Sequence, residues 1–517
     1  MDIWATLSGT AARWPGRFAV RDGDLRFAYR ELEQRALALA RFLLAQGLRA
    51  GDRVSILDVN SHRFLEAYYA AAAAGLILNP LNHRLAAPEL AAILQDAGSR
   101  CLVAGPGFET LVEELRGHGL PLECALLGGD EYEACLAAHA GPFEPAAASP
   151  DDVAQLYYTS GTTGVPKGVM LTHRNVVSHA RGTIAELGLS ADDVWGHIAP
   201  MFHLADAWAS FAITLVGGVH VMVPRFGAES VLRAIEQERI TISNLIPTML
   251  NLMVKHPRAR EFDLTSLRAI LSGGAPIAPE VVRQIIAVLG CEYVQTYGLT
   301  ETSPYLTLSL LHEHLAELPA EERLRYQART GRACSFVELK LADAAGAPVP
   351  ADDQTVGEIW ARGETVTPGY WNRPEETAAA FAPGGWLRTG DLAVIDGEGY
   401  FNIVDRRKDM IVSGGENVYS IEVENALYAH PAVLEAAAFG LPDPTWGEAV
   451  TAAVVLKAGE SCSAEALIAF CREQIAAYKA PKQVHFLDEL PRTGSGKISK
   501  KTLRESFGPT SVVAPWP

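Results

Sequence analysis

Short apolar segments alternate with amphipathic ones along most of the chain. Residues 29–48 place apolar side chains every three to four positions, which predicts a helix, and 51–57 then predict a strand. Between 190 and 300, short apolar segments each run into a polar or glycine-containing loop, and helical patterns at 229–239 and 279–290 separate several of them. This alternation predicts a mostly parallel sheet covered on both faces, with ligands beyond the carboxyl ends of its strands.

The pattern changes in the last third of the chain. Residues 340–400 are punctuated by glycine and strand-like, which predicts an antiparallel or barrel-like element. A charged, glycine-rich passage, DRRKDMIVSGGENVYS, follows, and a compact α+β segment of about a hundred residues completes the chain. We therefore predict a domain boundary at Asp405, with a large domain over 1–405 and a small one over 406–517.

Composition limits the classes of function. The chain has 517 residues, of which 49% are hydrophobic and 20% charged, so it can bury a large core and is not a disordered protein. The formal net charge of −17 argues against binding to nucleic acid or to an anionic membrane surface. Any polyanion must then be held by a few cations placed locally, which draws attention to lysines in glycine-rich loops.

Cysteine usage and hydropathy indicate the compartment. The seven cysteines form no C-x-x-C pair, so the sequence favours neither a disulfide framework nor a zinc site, and it fits a reducing cytosol. The N-terminus lacks the apolar core of a signal peptide. Residues 67–78 are too short to span a bilayer, and 207–223 are interrupted by glycines and His220, which predicts a buried helix followed by a buried strand. We expect a cytoplasmic protein without a transmembrane segment.

The stretch YTSGTTGVPKGV at 158–169 is suited to phosphate. Its small residues let backbone N–H groups approach phosphate oxygens, and its hydroxyls and lysine add donors. The spacing is not that of a P-loop, which needs G-x-x-x-x-G-K-[ST]. Alone, the stretch is also compatible with an ordinary surface loop.

Six further motifs accompany it: PMFH (200–203), GGAP (273–276), YGLTE (297–301), TGD (389–391), DRRKD with GGENV (405–418), and PRTGSGKI (491–498). Their order and spacing over nearly the whole chain resemble the adenylate-forming enzymes, and most closely the acyl- and aryl-CoA ligases. The resemblance implies that a carboxylate attacks the α-phosphate of ATP, which releases pyrophosphate, and that the thiol of coenzyme A then displaces AMP from the acyl-adenylate. It also implies Mg²⁺, and it leaves a homodimer possible.

The resemblance completes the predicted fold class, which is α/β. The large N-terminal domain is expected to hold two helix-covered, mostly parallel sheets and a small barrel-like element. The C-terminal domain is expected to be small, mobile and α+β. Mobility follows because two chemically different steps share one site.

By resemblance, a set of loop residues binds the nucleotide, and the set comprises Thr159, Ser160, Gly161, Thr162, Thr163, Gly164, Lys167, Gly274, Ala275, Pro276, Thr296, Tyr297, Gly298, Asp391 and Arg406. Thr300 and Glu301 are expected to hold Mg²⁺ that bridges phosphate oxygens, since this ion prefers one carboxylate plus phosphates and waters. Lys497 is expected to bridge the acyl carboxylate and the α-phosphate during the first step.

The second half-reaction has its own predicted residues. The resemblance implies that Lys408 is the hinge residue and that Gly414 and Gly415 line the pantetheine tunnel of coenzyme A. His203 either gates the acyl and thiol channels or is a core histidine. Ser420 stands where relatives often have proline, which should affect turn stiffness more than chemistry.

The acyl pocket is predicted to include Ala205, Asp206, Trp208, Pro304, Tyr305 and Leu306. The bulk of Trp208 and Tyr305 favours a medium-chain or aromatic acid. Asp206 could instead bind a substrate amine or hydroxyl, which keeps a free-standing amino-acid-activating enzyme as an alternative. A catalytically inactive nucleotide-binding protein is a second alternative, and the presence of the predicted catalytic lysines and Glu301 argues against it.

Overall fold

The computed structural model describes residues 1–120, 122–159, 166–274, 277, 279–493 and 497–508. Its contacts divide the chain into two compact units. Unit 1 comprises Met1–Leu339 with Ala361–Arg388, and unit 2 comprises Lys340–Trp360 with Thr389–Pro517. These units are defined by contacts and not by motion, so the domain boundary at Asp405 stays a prediction.

Helices and strands alternate through most of the chain. The α-helices are α1 Ile3–Arg13, α2 Tyr29–Ala45, α3 His62–Ala74, α4 Ala87–Ala97, α5 Glu109–Arg116, α6 Asp130–Ala138, α7 His173–Leu187, α8 Leu204–Ala207, α9 Ala209–Val216, α10 Ala228–Glu238, α11 Pro247–Val254, α12 Pro279–Leu289, α13 Glu313–Ala316, α14 Ala320–Gln327, α15 Pro374–Ala380, α16 Ser420–Tyr428, α17 Ala464–Gln474 and α18 Lys500–Phe507. Short 3₁₀ helices cover Ala259–Glu261 and Thr300–Thr302.

The strands are β1 Phe18–Asp22, β2 Leu25–Ala28, β3 Arg53–Leu57, β4 Ile77–Pro80, β5 Ser99–Ala104, β6 Cys124–Leu127, β7 Val153–Thr159, β8 Lys167–Thr172, β9 Val194–His197, β10 Val219–Met222, β11 Ile242–Asn244, β12 Ala269–Gly273, β13 Glu292–Gly298, β14 Tyr305–Leu308, β15 Gly331–Ala333, β16 Glu338–Ala342, β17 Gly357–Arg362, β18 Phe381–Ala382, β19 Trp386–Ile395, β20 Tyr400–Arg406, β21 Ile411–Ser413, β22 Glu416–Val418, β23 Val433–Asp443, β24 Gly447–Leu456 and β25 Gln483–Phe486.

Unit 1 contains two mostly parallel sheets. In the first, strands follow the order β15-β14-β13-β12-β11-β9-β10-β1-β2, and every pair from β13 to β1 is parallel. In the second, the order is β6-β5-β3-β4-β7-β8, and only the β7–β8 pair is antiparallel. The predicted α/β class with helix-covered parallel sheets is confirmed.

The central strands of the first sheet, β9 to β13, are buried on both faces. Along β12, Ala269 and Leu271 join one hydrophobic cluster, whereas Ile270, between them, joins another with residues of α10, α11 and α12. Successive side chains of a strand point to opposite faces, so an apolar run without alternation is what a doubly covered strand requires. The short apolar segments of the sequence are these strands.

Helix α3 explains the alanine-rich stretch 67–78. Every residue of α3 except Arg63 is buried, and the helix packs closely against α2. Alanine side chains permit this close approach on all sides of the helix. Residues 207–223 form α9 followed by β10, as predicted. Throughout the described part of the chain, no helix combines the length and the apolar character that a bilayer span needs.

Unit 2 combines two sheets with helices. Strands β16, β17, β19 and β20 pair in that order, and β19 runs antiparallel to β20. The second sheet has the order β22-β21-β24-β23, with β25 beside β24, and α16 packs against β23. The predicted strand-rich region and the α+β segment are therefore present, but a barrel is not confirmed.

The expectation of no disulfide was wrong. Cys101 of β5 and Cys124 of β6 are direct partners on neighbouring parallel strands and are joined by a disulfide. Nothing in a separation of 23 residues signals this pairing. It depends on the two strands being neighbours, which only the fold decides.

We expect Ala70→Leu, within α3, to destabilise the protein by about 1–3 kcal/mol, the usual result of overpacking a filled core. Ala70 is fully buried between its neighbours. The control is Ala137→Leu on the exposed side of α6, which should leave the free energy of unfolding nearly unchanged. Denaturant melts of both variants provide the measurement, and equal stability of the two would contradict this account of α3.

Candidate active site

The predicted motif loops gather at one edge of the first sheet. Strands β9, β12 and β13 belong to its parallel part, so their carboxyl ends share an edge. The PMFH segment follows β9, Gly274 follows β12, and Tyr297 and Gly298 form the end of β13. Ala275 and Pro276 lie outside the described residues. This edge therefore carries the predicted adenine, metal and acyl residues of unit 1.

A hairpin presents the predicted phosphate loop. Strands β7 and β8 are antiparallel, and Thr159 at the end of β7 pairs directly with Lys167 at the start of β8. Ser160, Gly161, Thr162, Thr163 and Gly164 connect the two strands and lie outside the described residues. The hairpin thus fixes both ends of the loop.

Lys167 has two described partners. Its ammonium forms an ion pair with Glu376 of α15 and lies 5.5 Å from the ring centroid of Tyr370. A backbone hydrogen bond holds Tyr370 in place, because the next residue, Trp371, donates its N–H to the carbonyl of Gly168 at 2.8 Å. The segment that precedes α15 is therefore tied to β8.

Tyr370 connects Lys167 to Glu301. Its hydroxyl donates to Glu301 Oε1 at 3.0 Å, and burial, reinforced by the Glu301 carboxylate, raises the pKa of Tyr370. The backbone carbonyl of Glu301 also accepts from the N–H of Thr367 at 2.8 Å. The structure thus brings the predicted phosphate lysine and metal carboxylate to one aromatic ring.

Glycine is required at the end of β13. A Cβ on Gly298 would lie 1.8 Å from the carbonyl oxygen of Pro304, so no larger residue fits there. Beside it, the buried hydroxyl of Thr296 donates to the carbonyl of Ser272 at 3.2 Å. Thr300 and Glu301 follow in a single 3₁₀ turn. The polypeptide therefore turns back sharply just where the motif YGLTE places its polar side chains.

Aromatic side chains fill the predicted acyl region. Trp208 and Tyr305 are both buried, and the indole N–H donates to the Tyr305 hydroxyl at 3.0 Å. His179 of α7 packs against both rings and accepts the backbone N–H of Tyr305 at 3.1 Å. Burial lowers the pKa of His179 to about 3, so this imidazole is neutral. Leu306 is fully buried beside them.

Asp206 is engaged inside the protein. Its carboxylate accepts from the indole of Trp195 at 3.2 Å and from the imidazole of His197, and all three side chains are fully buried. Ala205 offers its backbone carbonyl to Asn244. The sequence allowed Asp206 to bind a substrate amine, but in the structure its carboxylate is already bound to Trp195 and His197.

His203 begins α8. Its Nδ1 accepts the backbone N–H of Ala205 at 3.1 Å, which caps the helix, and its side chain is partly exposed. It is therefore not a fully buried core histidine. Its role as a channel gate stays a prediction.

Unit 2 holds the predicted ribose residues. Asp391 and Arg406 are direct partners on β19 and β20, and Arg406 Nε lies 3.3 Å from the Asp391 carboxylate. Lys408 follows in the turn after β20, in which the N–H groups of Asp409 and Met410 both donate to the carbonyl of Arg406. The predicted hinge residue is exposed.

Two hairpins of unit 2 carry the remaining predicted residues. Gly414 and Gly415 form the two-residue turn between β21 and β22, with φ of 63° and 86°. A turn with positive φ at both positions favours glycine. Lys497 lies near the tip of a second hairpin, where its carbonyl accepts the N–H of Thr493 at 2.7 Å. Residues 494–496 lie outside the described residues.

The departure at Ser420 has a structural consequence. The backbone N–H and the hydroxyl of Ser420 both donate to the buried carboxylate of Asp405, at 2.5 and 2.9 Å. Lys500 in turn donates to the Ser420 hydroxyl. A proline at this position would lack that N–H.

Sequence reasoning missed several residues at these sites. Tyr370 and Glu376 lie in GYWNRPEE, whose polar residues have no special spacing. His197 ends the apolar strand β9 and His220 lies inside the apolar strand β10, and such positions are visible in the sequence. A polar ring in a buried strand needs hydrogen-bond partners, so the two histidines pointed to an internal polar cluster.

The chain is similar to known proteins over most of its length. The family model described as AMP-binding enzyme matches residues 7–371, and the model of the AMP-binding enzyme C-terminal domain matches residues 422–497. A feruloyl-CoA synthase of Amycolatopsis sp is 41% identical over 496 residues, which are 96% of each protein. A long-chain-fatty-acid–CoA ligase of Thermus thermophilus is 37% identical over 98% of this chain and 96% of its own length.

Solved structures are similar over the whole length. ATP-bound MatB from Rhodopseudomonas palustris has a TM-score of 0.89, with 30% identity over 98% of this chain and 99% of that one. MenE from Bacillus subtilis, in complex with ATP and magnesium ion, has a TM-score of 0.84, with 32% identity over 98% and 99% of the two chains.

Tyr370→Phe should raise the Mg²⁺ concentration needed for half-maximal pyrophosphate release about tenfold or more, because a hydrogen bond to a charged group contributes about 1.5–3 kcal/mol. Phenylalanine keeps the ring beside Lys167 and removes only the donor to Glu301. Trp371→Phe is the neighbouring control. A Mg²⁺ titration with ATP saturating is the measurement, and an unchanged midpoint in Tyr370→Phe would show that this hydroxyl does not position Glu301.

Proposed function

The chain belongs to the AMP-binding enzyme family and is an ATP-dependent ligase that joins a carboxylic acid to coenzyme A, and we propose that its acid is aromatic. The ligase forms an acyl-adenylate and pyrophosphate first, and the thiol then gives the thioester and AMP. The substrate proposal depends on one observation, the hydrogen-bonded pair of Trp208 and Tyr305 in the predicted acyl region.

The first step brings the substrate carboxylate and the phosphates of ATP together, so it needs residues that neutralise negative charge. We assign the β- and γ-phosphates to Lys167 and the loop before it, and adenine to the ends of β12 and β13. The Glu301 carboxylate and the Thr300 hydroxyl suit Mg²⁺, which keeps waters and phosphates as its other ligands. Mg²⁺, when bound, would reduce the repulsion between the phosphates and the incoming carboxylate.

We assign residues of unit 2 to ribose binding, to adenylation and to the change from adenylation to thioester formation. Asp391 offers two acceptor oxygens to the ribose hydroxyls, and Arg406 already pairs with that carboxylate. Lys497 is assigned to the acyl carboxylate and the α-phosphate. Lys408 is the proposed hinge, and Gly414 with Gly415 the proposed passage for pantetheine, where missing side chains leave space.

The acid is inferred from the shape of the aromatic pair. Trp208 and Tyr305 lie edge to face with centroids 5.2 Å apart, and their shared hydrogen bond fixes both rings. A flat ring packs well against such a wall, whereas a long alkyl chain needs an open tunnel. The name of the Amycolatopsis relative, a feruloyl-CoA synthase, supports the same class of acid.

The two alternatives are weaker. Amino-acid activation was favoured by a free Asp206, and the structure engages both oxygens of that carboxylate. An inactive nucleotide-binding protein has no need for Lys167, Glu301, Asp391 and Lys497 together. A cytoplasmic location and a homodimer stay predictions.

The test of the proposed function is pyrophosphate release with benzoic, cinnamic, ferulic, octanoic and palmitic acids, each with and without coenzyme A. We expect the aromatic acids to give the highest kcat/KM and to yield thioester only when coenzyme A is present. A clear preference for palmitic acid would refute the substrate class. Release without any thioester product would refute coenzyme A as the acceptor.

Lys497→Ala should slow adenylation by roughly 10²–10³-fold, the usual effect of removing one preorganised group that stabilises developing charge. Thioester formation from chemically prepared acyl-adenylate should be largely retained. The neighbouring Lys501→Ala, on the exposed side of α18, is the control. Equal losses in both half-reactions would show that Lys497 is not specific to the first.

Trp208→Ala should shift the preference toward bulkier acids. The space left by the indole can hold extra methylenes of substrate, each worth about 0.8 kcal/mol when buried. Trp4→Ala, on the buried side of α1, removes the same type of side chain away from the site and controls for lost stability. The ratio of kcat/KM between ferulic acid and larger acids is the measurement, and an unchanged ratio in folded Trp208→Ala would place this ring outside the pocket.

A further inference from the structure

A chain of fully buried polar side chains runs behind the aromatic wall. It starts at Thr214 of α9, whose hydroxyl lies 3.0 Å from His220 Nε2, and continues from His220 Nδ1 to His197 Nε2 at 3.0 Å. His197 Nδ1 then bonds to Asp206, which also accepts from Trp195. All five side chains are completely buried. We call this set the buried relay.

Every nitrogen of the two imidazoles in the buried relay has a partner. An ionised Asp206 accepts only, so His197 must donate through Nδ1. Burial and the neighbouring His197 lower the pKa of His220 well below its usual value, so His220 is neutral and offers one donor and one acceptor. A neutral His197 accepts from His220, and a protonated one donates to it. In either case the bonds are satisfied through to Thr214.

The buried relay is attached to the segment that carries the acyl residues. Asp206 lies in α8, between His203 at the start of that helix and Trp208 directly after it. The indole of Trp195, which donates to Asp206, packs edge to face on Trp208 with centroids 5.1 Å apart. Asn60 fixes the preceding segment, since its amide donates to the carbonyls of His197 and Ala199. Movement of Asp206 would therefore move Trp208 and His203.

We propose that Asp206, through His197 and His220, is a positioning residue that sets the size selectivity of the acyl pocket, and that it does not contact the substrate. This inference rests on the proposed function, since it takes Trp208 as a wall of that pocket. A buried carboxylate with two donors permits one position of α8, whereas an apolar side chain there would permit several. The buried relay thus converts a short helix into a rigid part of the wall.

The first experiment is Asp206→Ala compared with Asp193→Ala. Asp193 is another buried carboxylate. It immediately precedes β9, at the opposite end of that strand from His197, and it accepts from Arg268 and Thr241. We expect Asp206→Ala to raise the KM for the acid about tenfold or more, since small misplacements cause such losses, and to relax the preference among acid sizes. The KM for ATP should stay within about twofold, a split that general loss of stability would not produce. Asp193→Ala should change neither KM.

The panel of acids distinguishes positioning from direct contact. It pairs cinnamic with 4-hydroxycinnamic acid and benzoic with 4-aminobenzoic acid. If Asp206 positions the wall, Asp206→Ala affects the two members of each pair similarly, whatever the difference between the pairs. A loss confined to the acids with a hydroxyl or an amine would overturn the proposal and restore Asp206 as a substrate ligand.

Two further variants keep the test decisive if Asp206→Ala does not fold. The amide of Asp206→Asn offers an acceptor to Trp195 and a donor to His197, whose imidazole can move its proton to the other nitrogen. This variant should therefore have a near-normal KM for the acid, unlike Asp206→Ala. Thr214→Val removes the far end of the buried relay without changing shape and should raise the acid KM about two- to fivefold. Wild-type KM and selectivity in Thr214→Val, or no restoration by Asp206→Asn, would overturn the proposal. Wild-type enzyme inactive with every acid would refute the proposed function instead.

Discussion

The shared carboxyl edge of the parallel strands is the constraint on which the site of unit 1 depends. Strands β9, β12 and β13 run the same way, so the segments that follow them must emerge together. This brings His203, Gly274 and Glu301 to one edge, although 98 positions separate the first from the last. Doubly covered apolar strands make the edge rigid, because each strand is held on both faces. The chemistry can therefore be placed on loops without losing precision.

The electrostatics of the site are local. The chain carries a net charge of −17, and its described cations near the predicted nucleotide loops already have acidic partners, such as Glu376 for Lys167 and Asp391 for Arg406. Ion pairs with exposed members contribute about 0–1 kcal/mol, so they do not commit a lysine to one partner. Polyphosphate offers more charge and more acceptors than one carboxylate. The proposed phosphate lysine of this acidic protein can thus stay paired with Glu376 until a stronger anion arrives.

The sequence predicted the strands and motifs that depend on local pattern. It did not predict the contacts that depend on which distant strands are neighbours. Apolar runs predicted β9 to β13, and motif order selected Lys167, Glu301 and Lys497 as candidate site residues, whose roles stay predictions. Cys101 and Cys124 could not be paired from the sequence, because only the neighbouring positions of β5 and β6 bring them together. The same holds for Tyr370, which reaches Glu301 across 69 residues, and for Asp206, whose partners come from β9. The sequence left Asp206 open as a ligand for a substrate amine or hydroxyl, because the internal partners of its carboxylate are not visible in the sequence.

In the predicted acyl region, apolar rings provide buried surface, whereas hydrogen-bonded polar groups fix the position of the backbone. Trp208 and Tyr305 bury large surfaces, but apolar contact alone leaves a helix as short as α8 free to shift between similar packings. Hydrogen bonds have direction, and a buried donor without a partner costs about 1–3 kcal/mol. Placing Asp206, His197 and His220 behind the rings therefore penalises every arrangement of the wall except one. In the proposed acyl pocket, the aromatic pair would provide the surface that a substrate meets, and the polar groups behind it would decide where that surface lies.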